Sequence, residues 1–137
     1  MNGLLRAFWA AFEPRETAEQ RSMRLLRAHL NAQQRRQFDE HGWFDVVGGQ
    51  SGRQYRVYRA YVTNVQEVGT DGACVQVLCF SPRGHLPLGD VLLAQKVALE
   101  LFEGDALAAA CRWPASVARR YTSLQFVLRA AGSTNRR

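Results

Sequence analysis

Hydrophobic positions along this chain change period at Gly42, and the stretches on either side of it call for different elements. Before Gly42 the apolar residues recur three and four apart, as on one face of an α-helix. Leu4, Leu5, Phe8, Trp9 and Phe12 fall at i, i+1, i+4, i+5 and i+8 and predict a helix from about Asn2, halted by Pro14. Met23, Leu26 and Leu30, with Leu25 beside them, predict a second helix from about Arg15 to Leu30. Asn31 followed by Gln34 has the chemistry of a capping box, with an acceptor for the first-turn amides and a side chain that reaches back. A short third helix is expected to run to His41, stopped by Gly42 in the left-handed conformation.

Beyond Gly42 the period becomes two. Trp43–Val47, Gln54–Tyr61, Val62–Val68 and Ala73–Phe80 are rich in β-branched and aromatic residues, and glycine-bearing turns separate most of them. They predict a meander of three or four antiparallel strands. No turn residue stands between Tyr61 and Thr63, which leaves open one long strand bent by a bulge. Residues 81–89 carry two prolines and two glycines and form a loop. Asp90 is expected to cap a helix in which Val91, Leu92, Ala94, Ala98, Leu99, Leu101 and Phe102 cover most of the circumference, so it should lie across the sheet. Gly104 should end it and Asp105 cap a shorter helix through Cys111. Val117, Tyr121, Leu124 and Leu128 place a last amphipathic helix behind Ser116, and disorder is expected from Gly132 on.

The expected fold is therefore a single α+β domain. N-terminal helices occupy residues 1–42, the sheet and its central helix 43–111, and a basic, partly disordered C-terminal segment 112–137. A length of 137 residues with 47% hydrophobic positions suits one compact domain and excludes a multidomain enzyme. No apolar run approaches the 20 or so residues of a membrane span, and the N-terminus lacks a secretory cleavage site. The expectation is a cytoplasmic protein with no membrane partner.

Charge alters this picture, because the net +6 is unevenly spread. Residues 1–42 hold seven arginines and five acids, residues 43–111 five basic and seven acidic residues, and residues 112–137 six arginines and no acid. The globular middle is slightly acidic, and an attraction for polyanions would reside in Arg112, Arg119, Arg120, Arg129, Arg136 and Arg137. Arg53-Gln54-Tyr55-Arg56-Val57-Tyr58-Arg59-Ala60-Tyr61 interleaves cations with rings, as surfaces that bind single-stranded nucleic acid do. Strand alternation divides the segment, however. If Tyr55 and Val57 face the core, only Arg56 and Tyr58 stay on the open face, beside Trp43, where cross-strand packing is the simpler role.

Other chemistry is sparse. Cys79, His85 and Asp90 are a thiol, an imidazole and a carboxylate within twelve residues, but no nucleophile motif surrounds Cys79, which reads as a small strand residue. Cys74 and Cys79 are an odd number of strand positions apart, which should send them to opposite faces and away from a common metal. Three cysteines without a CxxC pair predict reduced thiols and no disulfide. Gly48-Gly49-Gln50-Ser51-Gly52 precedes a strand and has no P-loop lysine, so it reads as a hairpin turn. Lys96 and Glu100 are spaced to pair on the exposed side of their helix. No cofactor, metal site or catalytic residue is predicted.

The stretch from Tyr55 to Glu100, with Asn64-Val65, Cys79-Phe80-x-Pro82 and Leu88-Gly89-Asp90-Val91-Leu92-Leu93-Ala94-Gln95-Lys96, resembles small uncharacterised proteins of bacteria and their phages or mobile elements. The resemblance covers about a third of the chain and implies a sheet-plus-helix module with no activity attached. The expected function is that of a non-enzymatic binding protein that associates with polyanions, nucleic acid foremost, through the C-terminal arginines, assisted by Arg56 and Tyr58. The alternative is a protein-interaction, assembly or inhibitor module using the stripe Leu4, Leu5, Phe8, Trp9 and Phe12, with a protein partner or a second copy of the chain.

Overall fold

The computed structural model describes residues 2–11 and 14–118 of the chain. Helix α1 spans Asn2–Ala11, α2 Ala18–His29 and α3 Ala32–His41. Strands β1 (Trp43–Val47), β2 (Gln54–Tyr58), β3 (Val65–Val68) and β4 (Cys74–Cys79) follow. Next come α4 (Leu88–Leu101), α5 (Glu103–Ala109) and strand β5 (Cys111–Pro114), and residues 115–118 open a further helical turn. The class is α+β: α2, α3 and α4 pack against an antiparallel sheet ordered β1-β2-β3-β4-β5.

The N-terminal helices start where their local chemistry directs. Asn31 accepts the Gln34 amide at 2.8 Å while the Gln34 side chain accepts the Asn31 amide at 3.1 Å, the expected capping box. Gly42 ends α3 at φ 75°, a conformation that costs a side-chain-bearing residue about 1 kcal/mol or more. Thr17 and Gln20 form a second box, so α2 begins at Ala18 rather than near Arg15.

The sheet has five strands rather than three or four. Thr63, at φ 50°, lies in the connection that separates β2 from β3, so these are two paired strands and not one bent strand. The fifth strand is the short segment Cys111–Pro114, which returns after α4 and α5 to pair with β4. The expected boundary at residue 112 therefore cuts through a strand: Arg112 stands opposite Leu78 within the ladder. A register shift between Glu67 and Val68 sets Cys74 against Val68 and breaks the parity that would have placed Cys74 and Cys79 on opposite faces.

Phe44, Val46, Tyr55, Val57, Val65 and Leu78 point from the sheet into a core shared with Leu26 of α2, Leu30, Phe38 of α3, and Leu92 and Leu99 of α4. The close α2–α4 crossing depends on Gly89, where an added Cβ would overlap the Ser22 backbone. This crossing also supplies the missing cap of α4. Helix α4 begins at Leu88, two residues before Asp90, and Pro87 at its N-cap offers no side-chain acceptor. The Leu88 amide instead donates to Glu19 of α2 at 3.2 Å, and the Gly89 amide to the Ser22 hydroxyl at 3.2 Å. Asp90 sits inside the first turn, where its charge favours the amide end of the helix.

Helix α4 breaks at Phe102, not at Gly104, and Gly104 lies within α5. Lys96 pairs with Glu100 at 2.7 Å as the spacing predicts, but Lys96 is buried rather than on a solvated face.

The two sheet edges differ. On β1, Gln37 accepts the Asp45 amide at 3.0 Å and Gln34 donates to the Asp45 carbonyl at 2.9 Å, so α3 occupies the backbone groups of the central residue of that edge. On β5 all four residues are exposed.

Candidate functional site

Residues 2–11 contain no proline and no β-branched residue, and Ala, Leu and Arg favour helix throughout. The resulting α1 brings Leu4, Leu5, Phe8 and Trp9 to one side, as their spacing requires. Residues 3–11 are all exposed, with Leu4 at 85% and Trp9 at 69%. Phe12 lies outside the described residues. Helices α2, α3 and α4 each bury apolar side chains, whereas Leu4, Leu5 and Trp9 of α1 are exposed.

The sheet face opposite α2, α3 and α4 carries Trp43, Asp45, Arg56, Tyr58 and Gln66, with Val77 buried beside them, as the register of Asp45 with Arg56, of Arg56 with Gln66 and of Gln66 with Val77 dictates. Arg56 is held there by its neighbours. Its Nε donates to Asp45 Oδ1 at 2.8 Å and its Nη2 to Oδ2 at 3.3 Å, and the guanidinium lies 3.7 Å above the Trp43 ring. His41 stacks on Trp43 at 5.0 Å between centroids. Burial by itself would lower the Arg56 pKa, but hydrogen bonding to Asp45 and its charge raise it. The Tyr58 hydroxyl donates to Gln66 Oε1 at 3.4 Å, and burial pushes its pKa up. Arg56 and Tyr58 thus engage in cross-strand packing.

Arg112, the other described member of the expected nucleic-acid surface, falls elsewhere. It stands opposite Leu78, which belongs to the face packed on α2, α3 and α4, whereas Arg56 stands opposite Asp45 on the other face. Two strands, β3 and β4, separate them. The ladder therefore does not bring Arg56 and Arg112 onto one surface. Arg119, Arg120, Arg129, Arg136 and Arg137 lie outside the described residues. Several remaining arginines are engaged with the protein's own acids: Arg24 with Glu16, and Arg27 with Asp39.

The most elaborate polar cluster centres on Glu103, which nothing nearby in sequence marks. Its buried carboxylate accepts the Gln50 amide at 2.9 Å, the Ser51 amide at 2.8 Å, the Tyr55 hydroxyl at 2.7 Å and the Ser51 hydroxyl. Burial pushes its pKa up, and the Ser51 and Tyr55 hydroxyls with the two amides overcome that to hold it at about 2. Burial, then the hydrogen bond to Glu103, pushes Tyr55 up to about 12. The Gly104 amide donates to Gln50 Oε1 at 2.9 Å, so the β1–β2 hairpin turn doubles as the cap of α5. A Cβ on Gly49 would overlap the Glu100 carbonyl, which explains the small residues of the turn. With every carboxylate oxygen engaged by the fold, the cluster is a structural latch.

A second buried pair joins Asn64 to Gln95 by reciprocal amide bonds of 2.7 and 3.0 Å, tying the β2–β3 connection to α4. Cys79 faces Cys111 across the ladder, His85 is exposed in its loop, and Asp90 belongs to the first turn of α4. Among the described residues, no three His, Cys, Asp or Glu side chains are grouped to hold a metal, and no helix is long and apolar enough to cross a membrane. No protein-family model, curated protein or solved structure matches this chain.

Proposed function

We propose that this chain is a protein-interaction module, acting by binding rather than catalysis, that assembles with a second copy of itself through α1. The observation that carries this reading is the exposure of Leu4, Leu5 and Trp9 on a helix of ten residues. A helix this short is marginal in water without tertiary support, so covering the stripe would stabilise both the interface and the helix itself. Arg6 is the sole charge between Asn2 and Ala11, and so apolar a patch suits a homodimer interface better than a polar, transient one. Under a two-fold axis the stripe meets its own copy, with Phe12 continuing it in sequence.

Size-exclusion chromatography with light scattering on the full chain tests this reading. Wild type is expected to be a dimer at micromolar concentration and Trp9→Glu a monomer. Trp9→Glu should change monomer stability by no more than about 0.5 kcal/mol, because the side chain is exposed. Wild type that stays monomeric up to about 100 µM, where interfaces of this kind are populated, or Trp9→Glu that still dimerises, overturns the reading.

Charge favours a second reading, association with nucleic acid. Residues 112–137 carry six arginines and no acid, against an acidic residues 43–111. With Arg56 offset by Asp45, the attraction would rest on Arg112 and the arginines after it, and binding would weaken steeply with salt. Gel shifts at two salt concentrations check this. Replacing Arg119, Arg120, Arg129, Arg136 and Arg137 by Gln should abolish the shift, and an unchanged shift refutes the role.

A further inference from the structure

Cys79, the last residue of β4, lies directly opposite Cys111, the first residue of β5, in antiparallel register. Both thiols are free; Cys79 is half-buried and Cys111 exposed. Parity along β4 places both on the face opposite α2, α3 and α4, since Leu78 belongs to the core and its neighbours point the other way. Opposed residues of an antiparallel pair have Cα atoms about 4.5–5.5 Å apart, inside the roughly 4.4–6.8 Å that a disulfide spans. Cys74 does not compete for Cys79. It is five residues away on the same strand, roughly 16 Å at the rise of extended chain.

We propose that Cys79 and Cys111 form an oxidisable dithiol whose disulfide, made with a peroxide as oxidant, fastens β5 to β4. This is a covalent site that the assembly reading does not use, and it stands independently of it. The exposed Cys111 sulfur, as thiolate, attacks one oxygen of hydrogen peroxide. The S–O bond forms, the O–O bond breaks, and hydroxide leaves with the thiol proton as water, giving a sulfenic acid. The Cys79 sulfur then attacks the Cys111 sulfur. The S–S bond forms, the S–O bond breaks, and a second hydroxide leaves with the Cys79 proton as water. Two electrons pass from the sulfurs to the peroxide oxygens, and two thiols plus one peroxide become one disulfide and two waters.

The location gives the bond its effect. Strand β5 has four residues, all exposed, and pairs with β4 alone among the described strands, so it opens more readily than the strands between. A bridge from 79 to 111 closes a loop containing α4 and α5 and removes freedom from the unfolded chain. Arg112 follows Cys111 directly, so oxidation also holds Arg112 against β4.

The test uses full-length chain, reduced and freed of reductant, then treated with a small molar excess of hydrogen peroxide. Intact mass, thiol titration in denaturant and peptide mapping are the readouts. Wild type and Cys74→Ser should each lose two hydrogens and two thiols, with the Cys79 peptide joined to the Cys111 peptide. Their melting midpoints should rise by about 5 °C, and dithiothreitol should reverse both changes. Cys79→Ser and Cys111→Ser should form no such internal bridge. Unchanged mass, oxygen gained without a bridge, a bridge mapped to Cys74, or a Cys111–Cys111 bond between two copies overturns the proposal. Peptide mapping of the wild-type chain alone separates these outcomes, so a poorly folding serine variant does not obscure them.

Discussion

Helices α2 and α3 are capped by their own sequence, whereas α4 and α5 are capped by residues brought from elsewhere in the fold. Thr17 with Gln20 and Asn31 with Gln34 satisfy first-turn amides within three residues. The amides of Leu88 and Gly89 turn instead to Glu19 and Ser22, and that of Gly104 to Gln50, more than fifty positions away. A helix with a local cap can begin before the rest of the chain is organised. A helix capped from a distance gains its N-terminus only when the tertiary structure forms, so its boundary belongs to the fold as a whole.

The contrast is broken most severely at Glu103. Glu103→Ala leaves the Tyr55 hydroxyl and two backbone amides without their acceptor, and a loss of about 3–5 kcal/mol is expected in urea unfolding. A loss below about 1 kcal/mol would show that water replaces the carboxylate and that the latch has no structural weight. The same group gives the latch a pH limit. Its pKa falls from an ordinary 4.5 to about 2 on folding, so its contribution is complete above 4.5 and disappears as pH drops toward 2. Acid titrations of wild type and Glu103→Gln should therefore differ in slope through that interval. Parallel curves would remove Glu103 from the account.

An intermediate effect is expected at the α2–α4 crossing. Gly89→Ala forces a methyl group into the Ser22 backbone and parts the helices, at about 2–3 kcal/mol. It should also weaken the cap that Ser22 and Glu19 provide, so its effect and that of Ser22→Ala should be non-additive. Additive values would mean that crossing and cap are separate. The smallest effects belong to the local caps: Thr17→Ala and Asn31→Ala should each cost about 1 kcal/mol. Their double mutant should match the sum to within about 0.5 kcal/mol, and a larger discrepancy would couple two boxes that sit on different helices.

The same distinction explains what is legible in the sequence. Asn31, Gln34 and Gly42 announce α3 because every interaction that bounds it is local, and Thr17 with Gln20 carries an equal signal for α2. The sequence pattern points to Asp90 as the start of α4 because an aspartate before an apolar run resembles a cap, while the true acceptors lie on α2. The fifth strand has four residues, one of them proline, and shows too little alternation to be distinguished from a tail. Glu103 and the Asn64–Gln95 pair leave no mark in the sequence for the same reason as the distant caps: their partners lie tens of residues away. The α1 stripe is legible as a pattern, but its exposure is not, since periodicity reports one apolar side without saying what covers it. Arg56 is legible in kind and misleading in role, because the pairing that sets it on Asp45 and Trp43 is a property of the register.

The treatment of the sheet margins has one more effect. Gln34 and Gln37 shutter the β1 side, and the β5 side stays bare among the described residues. Among the described strands, a neighbouring strand would therefore add at β5 more readily than at β1, and would turn its own shuttered side outward. Two molecules joined this way would leave obstructed margins on both flanks, an arrangement that disfavours adding a third.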